Sequence, residues 1–254
     1  MAAFAIFCAL SSAMYLVNDI RDKDADRRHP LKRGRPIASG ALSTRTAAVA
    51  AVALIASAEA GAAMIAPALA AVAAAYVLLL LLYSIALKHV VILDVLVIAA
   101  GFVLRAIAGA VAIDVPIRSW LLICTTLLAL FLALSKRRHE LVLLGDGAPD
   151  HRRILEEYSP YLLDQMIAVV TASTVIAYTV FATSAETADR LGTGRLGLTL
   201  PFVLYGIFRY LYLVHQKHGG GSPAALLLND RPLLTCVALW AGAVVALLYT
   251  PLGR

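Results

Sequence analysis

Asn18, Asp22 and Asp26 stand at i, i+4 and i+8, just past the first apolar run of the chain. If that run continues as a helix, the three oxygen-bearing side chains share one face, with Asp19 one step round. Such a stripe is a poor salt bridge and a good site for a hard cation. Mg²⁺ takes one or two carboxylates and completes its octahedron with water and phosphate oxygens; Mn²⁺ favours the same oxygen donors. The competing reading is a solvated, charge-balanced helix end, with Arg21, Lys23 and Arg27 as counter-ions. Downstream, the stretch HPLKRGRPI stops the helix at His29-Pro30 and crowds Lys32, Arg33 and Arg35 into a short loop between Gly34 and Pro36. Cations beside a Mg²⁺ site suit an oligophosphate, and they suit lipid headgroups equally.

Two further constellations repeat the theme. In SKRRHE, Lys136 and Glu140 are i, i+4, the spacing of a helical ion pair. Asp94 and Arg105 lie eleven residues apart, close to three full turns, and so on one helix face. Arg105 falls well inside an apolar run, and an intramembrane arginine is a functional-site candidate by default; a buried Asp94–Arg105 pair is the structural alternative. Lys88, Asp164 and Arg209, at the ends of other runs, point to the same polar mouth. Glu59 reads as near the opposite surface and receives no role. The six histidines form no HxxxH pair, Gly219-Gly220-Gly221 reads as a flexible loop, and neither a P-loop nor a nucleophile elbow nor a Gly-rich dinucleotide loop is present. Nothing reads as a nucleic-acid surface.

The elements that carry these residues follow from composition. The 254 residues are 61% hydrophobic and 15% charged, against roughly 25% charged in an ordinary soluble domain, and mean hydropathy is +0.83. About 20 apolar residues span a bilayer core. The chain reads as a single all-α integral membrane domain, residues 1–254, with eight spans near 2–17, 47–66, 68–87, 91–113, 119–135, 161–182, 198–214 and 232–250. No cleavable signal peptide is evident. Cys8, Cys124 and Cys236 lie singly in apolar runs, as small core hydrophobes.

The connections alternate in charge. Lys and Arg number eight, one, five and two in 18–46, 88–90, 136–160 and 215–231, and four in the other set. The positive-inside rule puts the first set in the cytoplasm and the amino terminus outside. That rule explains the cations but not the acids beside them. The combined picture is a helical bundle with one cytoplasm-facing cavity, lined by carboxylates for Mg²⁺ and by cations for phosphate, with walls open to lipid. It suits transfer between a phosphorylated soluble molecule and a lipid.

The segment NDIRDKDADRRHPLKRGRPIASG resembles the first Asp-rich motif of the UbiA-type membrane prenyltransferase superfamily. Ordinary members carry a second, DxxxD-type motif; LSKRRHEL stands there instead. That departure, with ALKH, VLRAIAGA and SKRRHEL, resembles the decaprenyl-phosphate phosphoribosyltransferase branch. The resemblance is strong over 10–160 and weaker beyond. It implies a nine-helix bundle in a bacterial inner membrane, with its active site facing the cytoplasm. The helix that would precede this chain's first span is expected to be missing, through a shortened sequence or natural variation, and its return would put the amino terminus back in the cytoplasm. It also implies transfer of 5-phosphoribose from phosphoribosyl diphosphate (PRPP) to a polyprenyl phosphate, with Mg²⁺. By motif, Asn18, Asp22 and Asp26 would hold the metal and diphosphate, while Lys32, Arg35, Lys88, Arg105, Lys136, Arg137 and Glu140 would position phosphates and ribose. Tyr83 and Asp94 are counted with the substrate-binding groups, and a homo-oligomer is left open.

Three other readings stand beside this one. Prenyl transfer from a polyprenyl diphosphate to an aromatic acceptor is disfavoured by the missing second Asp pair. A lipid or solute transporter would be expected to show inverted repeats or paired half-helices, which are not seen. A non-catalytic assembly protein leaves the acids without purpose.

Overall fold

The structure is a computed structural model that describes residues 1–28, 30, 32–144, 153–217 and 219–250. The described chain is helical: α1 Ala2–Arg21, α2 Lys23–Arg28, α3 Pro36–Ser39, α4 Thr44–Ile65, α5 Pro67–Ile85, α6 Leu93–Ala112, α7 Ser119–Leu144, α8 Pro160–Thr183, α9 Ala185–Leu191, α10 Leu200–Gln216, α11 Pro223–Asn229 and α12 Arg231–Tyr249. Single 3-10 turns cover Leu87–His89, Arg153–Glu157 and Leu196–Thr199. Among the described residues, eight helices are long and apolar enough to cross a bilayer. Each overlaps one expected span. The main difference is α7, which runs on to Leu144 and takes the whole SKRRHE stretch into regular helix.

Local chemistry sets the boundaries. Ser43, Ser159 and Asp230 cap α4, α8 and α12 by accepting from the backbone N–H groups of Thr46, Leu162 and Leu233. Proline occupies the first turn of α5, α8, α10, α11 and α12, where its missing N–H costs no helical bond.

The chain forms two compact units. The first comprises Met1–Thr126 with Leu144–Tyr158, the second Leu127–Leu143 with Ser159–Arg254. In the first unit α4 offers α1 a stripe of Ala47, Ala51, Ala58 and Ala62, all buried. Small side chains let backbones approach closely in lipid. Phe7, Leu10 and Met14 of α1 close this core with Leu69, Ala73 and Tyr76 of α5. Phe7 meets Tyr76 edge-on at 5.4 Å, and the Tyr76 and Ser11 hydroxyls share a hydrogen bond of 2.9 Å. In the second unit α10 packs on α12 and α8. Phe131 tilts against Tyr210 at 5.1 Å, and Trp240 Nε1 donates to the Tyr178 hydroxyl.

Candidate active site

The acid stripe lies in the first unit, where α1 gives way to α2. The expected continuous helix is broken at Asp22, which caps α1 at φ −92°, ψ 6°. The break is slight. Asp22 N–H donates to Asn18 O at 2.9 Å and Asp26 N–H donates to Asp22 O at 2.8 Å, so the i→i+4 bonds pass through and the stripe survives.

Each carboxylate has a cation that sequence spacing did not indicate. Lys88, buried in the turn between α5 and α6, donates to Asp22. One guanidinium nitrogen of Arg35 donates both to Asp19 at 2.7 Å and to Asp26 at 2.9 Å. The Asp26 side chain is 6% exposed and that of Asp22 is 31% exposed. One acid is therefore a buried anchor, and the other is open to a ligand. Arg21 Nε donates to Ser84 O and ties the end of α1 to the last turn of α5, next to the half-buried Tyr83. Lys32 is half-buried and turns the loop by accepting Arg35 N–H at its own carbonyl. His29 lies outside the described residues.

Among the described residues no three His, Cys, Asp or Glu side chains converge as metal ligands; Asp22 and Asp26 pair with Lys88 and Arg35. The oxygen set still fits a hard cation. It offers one carboxamide and two carboxylates at a single helix break, with one carboxylate reached by solvent, and Mg²⁺ asks no more of the protein than one or two carboxylates.

Asp94 and Arg105 do not form the pair that stood as the structural alternative. Asp94 is fully buried at the start of α6 and accepts from the Tyr158 hydroxyl at 2.8 Å. Arg105 lies eleven residues further along α6, about 16 Å at helical rise. A shared face aligned the two residues but did not bring them together. The Arg105 guanidinium stacks over Phe102 at 4.2 Å and near Tyr76 at 5.9 Å. It lines a cavity of about 510 Å³ with Phe4, Phe7, Cys8 and Ser11 of α1. Arg105 is therefore about three turns from the end of α6 nearest Lys88 and has no ion pair with the acid cluster among the described residues.

The basic stretch lies in the second unit. Lys136 is exposed. Glu140 pairs with Arg137 rather than with the expected Lys136: Nη1 donates to Oε2 at 2.6 Å, and Arg137 is 3% exposed. The i, i+3 partner prevails because it points inward with Glu140. Arg138 Nε donates to Asp164 Oδ1 at 2.5 Å, and His215 Nε2 lies 3.2 Å from the same oxygen. Arg209 makes a two-point pair with Asp230. That pair, with the Leu233 N–H, holds the Asp230 carboxyl below its ordinary range.

The triglycine loop is packed rather than loose. A Cβ on Gly221 would lie 2.7 Å from the His139 ring, and one on Gly220, at φ +110°, would lie 3.1 Å from Ser135 O. The loop lies against α7 beside a cavity of about 290 Å³ lined by Arg138, His139, Val142 and Val214.

Sequence reasoning missed Tyr158, Arg138 and His215. Tyr158 precedes a helix-starting Ser-Pro, and no spacing signals its role.

Comparison with known proteins agrees with this geometry. The UbiA prenyltransferase family matches residues 1–229. The decaprenyl-phosphate phosphoribosyltransferase of Mycolicibacterium smegmatis is 35% identical over 256 residues, covering 97% of this chain and 79% of that protein. The protein of the same name from Corynebacterium glutamicum is 36% identical over 251 residues, covering 97% and 75%. The solved structure of a UbiA homologue from Archaeoglobus fulgidus bound to GPP and Mg²⁺ superposes with a TM-score of 0.74 at 19% identity, over 95% of this chain and 84% of that one. The fold is thus that of UbiA homologues. With a family match reaching from the first residue to 229 and identity above one third sustained along nearly the whole chain, the protein is a multi-pass membrane transferase belonging to the UbiA prenyltransferase family.

Proposed function

We propose that the protein transfers 5-phosphoribose from PRPP to a polyprenyl phosphate at the cytoplasmic face of a bacterial inner membrane, releasing diphosphate. The observation that carries this reading is the cluster at the α1–α2 break. Three carboxylates share two cations there, in a chain whose curated relatives are named decaprenyl-phosphate phosphoribosyltransferases. Asn18, Asp22 and Asp26 would hold Mg²⁺, or Mn²⁺, and the donor's diphosphate. The metal's contribution is to neutralise charge on the departing diphosphate. Lys88 and Arg35, held beside those oxygens, would face the same phosphates as cations aimed where charge develops. Lys32, Tyr83 and Asp94 support the donor, Lys136, Arg137 and Glu140 serve phosphate recognition, and Arg105 acts on substrate from its own cavity.

The chemistry needs few protein atoms. A lipid phosphate oxygen forms a bond to ribose C1 as the bond from C1 to diphosphate breaks, and the electron pair leaves with diphosphate. The acceptor is already an anion, so no general base is required. Attack opposite the leaving group inverts C1.

The test uses the protein in nanodiscs with ribose-labelled PRPP and polyprenyl phosphate, and separately with a polyprenyl diphosphate and an aromatic acid. Label moving into an acid-labile lipid, abolished by EDTA and restored by Mg²⁺, is the expected result. Turnover only in the second mixture replaces this reading with ordinary prenyl transfer.

A further inference from the structure

Ile92, which caps the start of α6, sits at φ 70°, ψ −44°. A β-branched residue avoids positive φ because its Cβ meets the backbone, and this pair of angles is close to the rare, strained γ conformation. Strain of that kind persists only where the surroundings hold it. Here the Ile92 carbonyl accepts from the N–H groups of Val95 and Leu96, as in any helix start, and its own N–H is held by one phenol. Ile92 N–H donates to the Tyr158 hydroxyl oxygen at 2.8 Å, and that hydroxyl donates to Asp94 Oδ1 at 2.8 Å. Tyr158 is itself fixed, since it follows the Arg153–Glu157 turn whose Ile154 and Leu155 are buried with it. Upstream of Ile92 the chain is short and tied. Val90 N–H donates to Leu87 O, and Asp94 N–H donates to Val90 O, so the Leu87–His89 turn moves with Ile92. That turn carries Lys88 to Asp22.

We propose that Tyr158 is a positioning residue for the acid cluster. Its hydroxyl holds Ile92 in a backbone conformation the residue does not keep unaided, and this fixes Lys88 on Asp22. The inference rests on reading Asp22 and Lys88 as donor-binding groups. Without the hydroxyl, Ile92 relaxes to negative φ, the chain entering α6 changes direction, and Lys88 loses its register. A purely space-filling Tyr158 has no such effect, because phenylalanine keeps the buried ring.

The experiment compares Tyr158→Phe, Ile92→Gly and the double variant in nanodiscs, by PRPP kinetics and by hydrogen–deuterium exchange over residues 87–94. Tyr158→Phe is expected to raise the donor KM about tenfold, the scale of one lost buried hydrogen bond, with kcat within about twofold, and to speed exchange over 87–94. Adding Ile92→Gly is expected to bring KM back to within about threefold of wild type, since glycine takes positive φ without steric cost. Unchanged KM and exchange in Tyr158→Phe overturn the proposal, as does a defect that glycine does not repair. If Tyr158→Phe does not accumulate as folded protein, recovery of a monodisperse double variant supports the proposal and failure to recover overturns it. A wild type that ignores PRPP removes the functional reading instead; exchange over 87–94 then decides the positioning role alone, faster in Tyr158→Phe if it holds and unchanged if it does not.

Discussion

Each unit carries a charge-rich helix end, and the two are built in opposite senses. At the end of α1 the acids belong to the helix and the cations arrive from elsewhere: Lys88 from 66 residues away, and Arg35 from the following loop. At the end of α7 the cations belong to the helix, and the acids are Glu140 one turn on and Asp164 of α8. The first cluster sets three carboxylates, Asp19, Asp22 and Asp26, against two cations. The second sets Lys136, Arg137 and Arg138 against two carboxylates. An acid surplus with a solvent-reached carboxylate suits a hard cation, whereas a basic surplus with one exposed lysine suits an anion. On the proposed reading, the sign in surplus at each helix end would select opposite ligands.

The sharpest way to break that contrast is to neutralise the acid end. Asp22→Asn keeps shape and removes charge, and turnover is expected to fall more than about 10³-fold, the size of a lost metal clamp, with the protein still monodisperse. Near-normal turnover in saturating Mg²⁺ sinks the metal role. The basic end should respond differently. Lys136→Glu is expected to raise the PRPP KM roughly 10- to 50-fold with kcat little changed, because a phosphate remote from C1 is bound alike in ground and transition states. Ribose 1-diphosphate, lacking the 5-phosphate, should be a poor substrate for wild type and lose little more in this variant. An equal fall in kcat would place Lys136 with the chemistry and erase the contrast. Arg105 belongs to neither end. Arg105→Lys is expected to lose about tenfold in kcat/KM, since an ammonium cannot reproduce a planar fork or its stacking on Phe102. Arg105→Met should remain extractable, because among the described residues no carboxylate is left unpaired by it. A fully active Arg105→Met removes any role for the residue.

The smallest effect concerns the Arg209–Asp230 pair, far from either cluster in sequence. The Asp230 carboxyl titrates lower in the folded chain than in the unfolded one. Its contribution to stability is therefore fully present above the unfolded aspartate value of about 3.9 and fades as pH falls through the lower folded value. Asp230→Asn should cost a little melting temperature at neutral pH and nothing once both states are protonated. A difference that grows as pH falls contradicts the assignment.

Much of this was legible in residue order. The Asn18–Asp22–Asp26 stripe survives because helical bonds carry across the break, and the spans follow from hydropathy, which lipid enforces. What periodicity could not supply was depth. Asp94 and Arg105 share a face and stand three turns apart. Nor could it rank neighbours, so Glu140 chose Arg137 over Lys136 on inward direction. Partners from distant segments, Lys88 for Asp22 and Tyr158 for Asp94, are products of tertiary packing and leave no local pattern. The triglycine loop misled for a related reason. Glycine signals freedom when a chain is exposed and close approach when it is packed, and only the His139 ring decides between them.

The alanine stripe of α4 against α1 has a thermal consequence. In lipid, separating these helices trades protein contacts for hydrocarbon contacts and wets almost no apolar surface. Heat-capacity change tracks the apolar area given to water, so this step carries little of it. The free energy holding α1 to α4 should then vary almost linearly with temperature, without the dome of a soluble core, and chilling the membrane should leave the pair no looser.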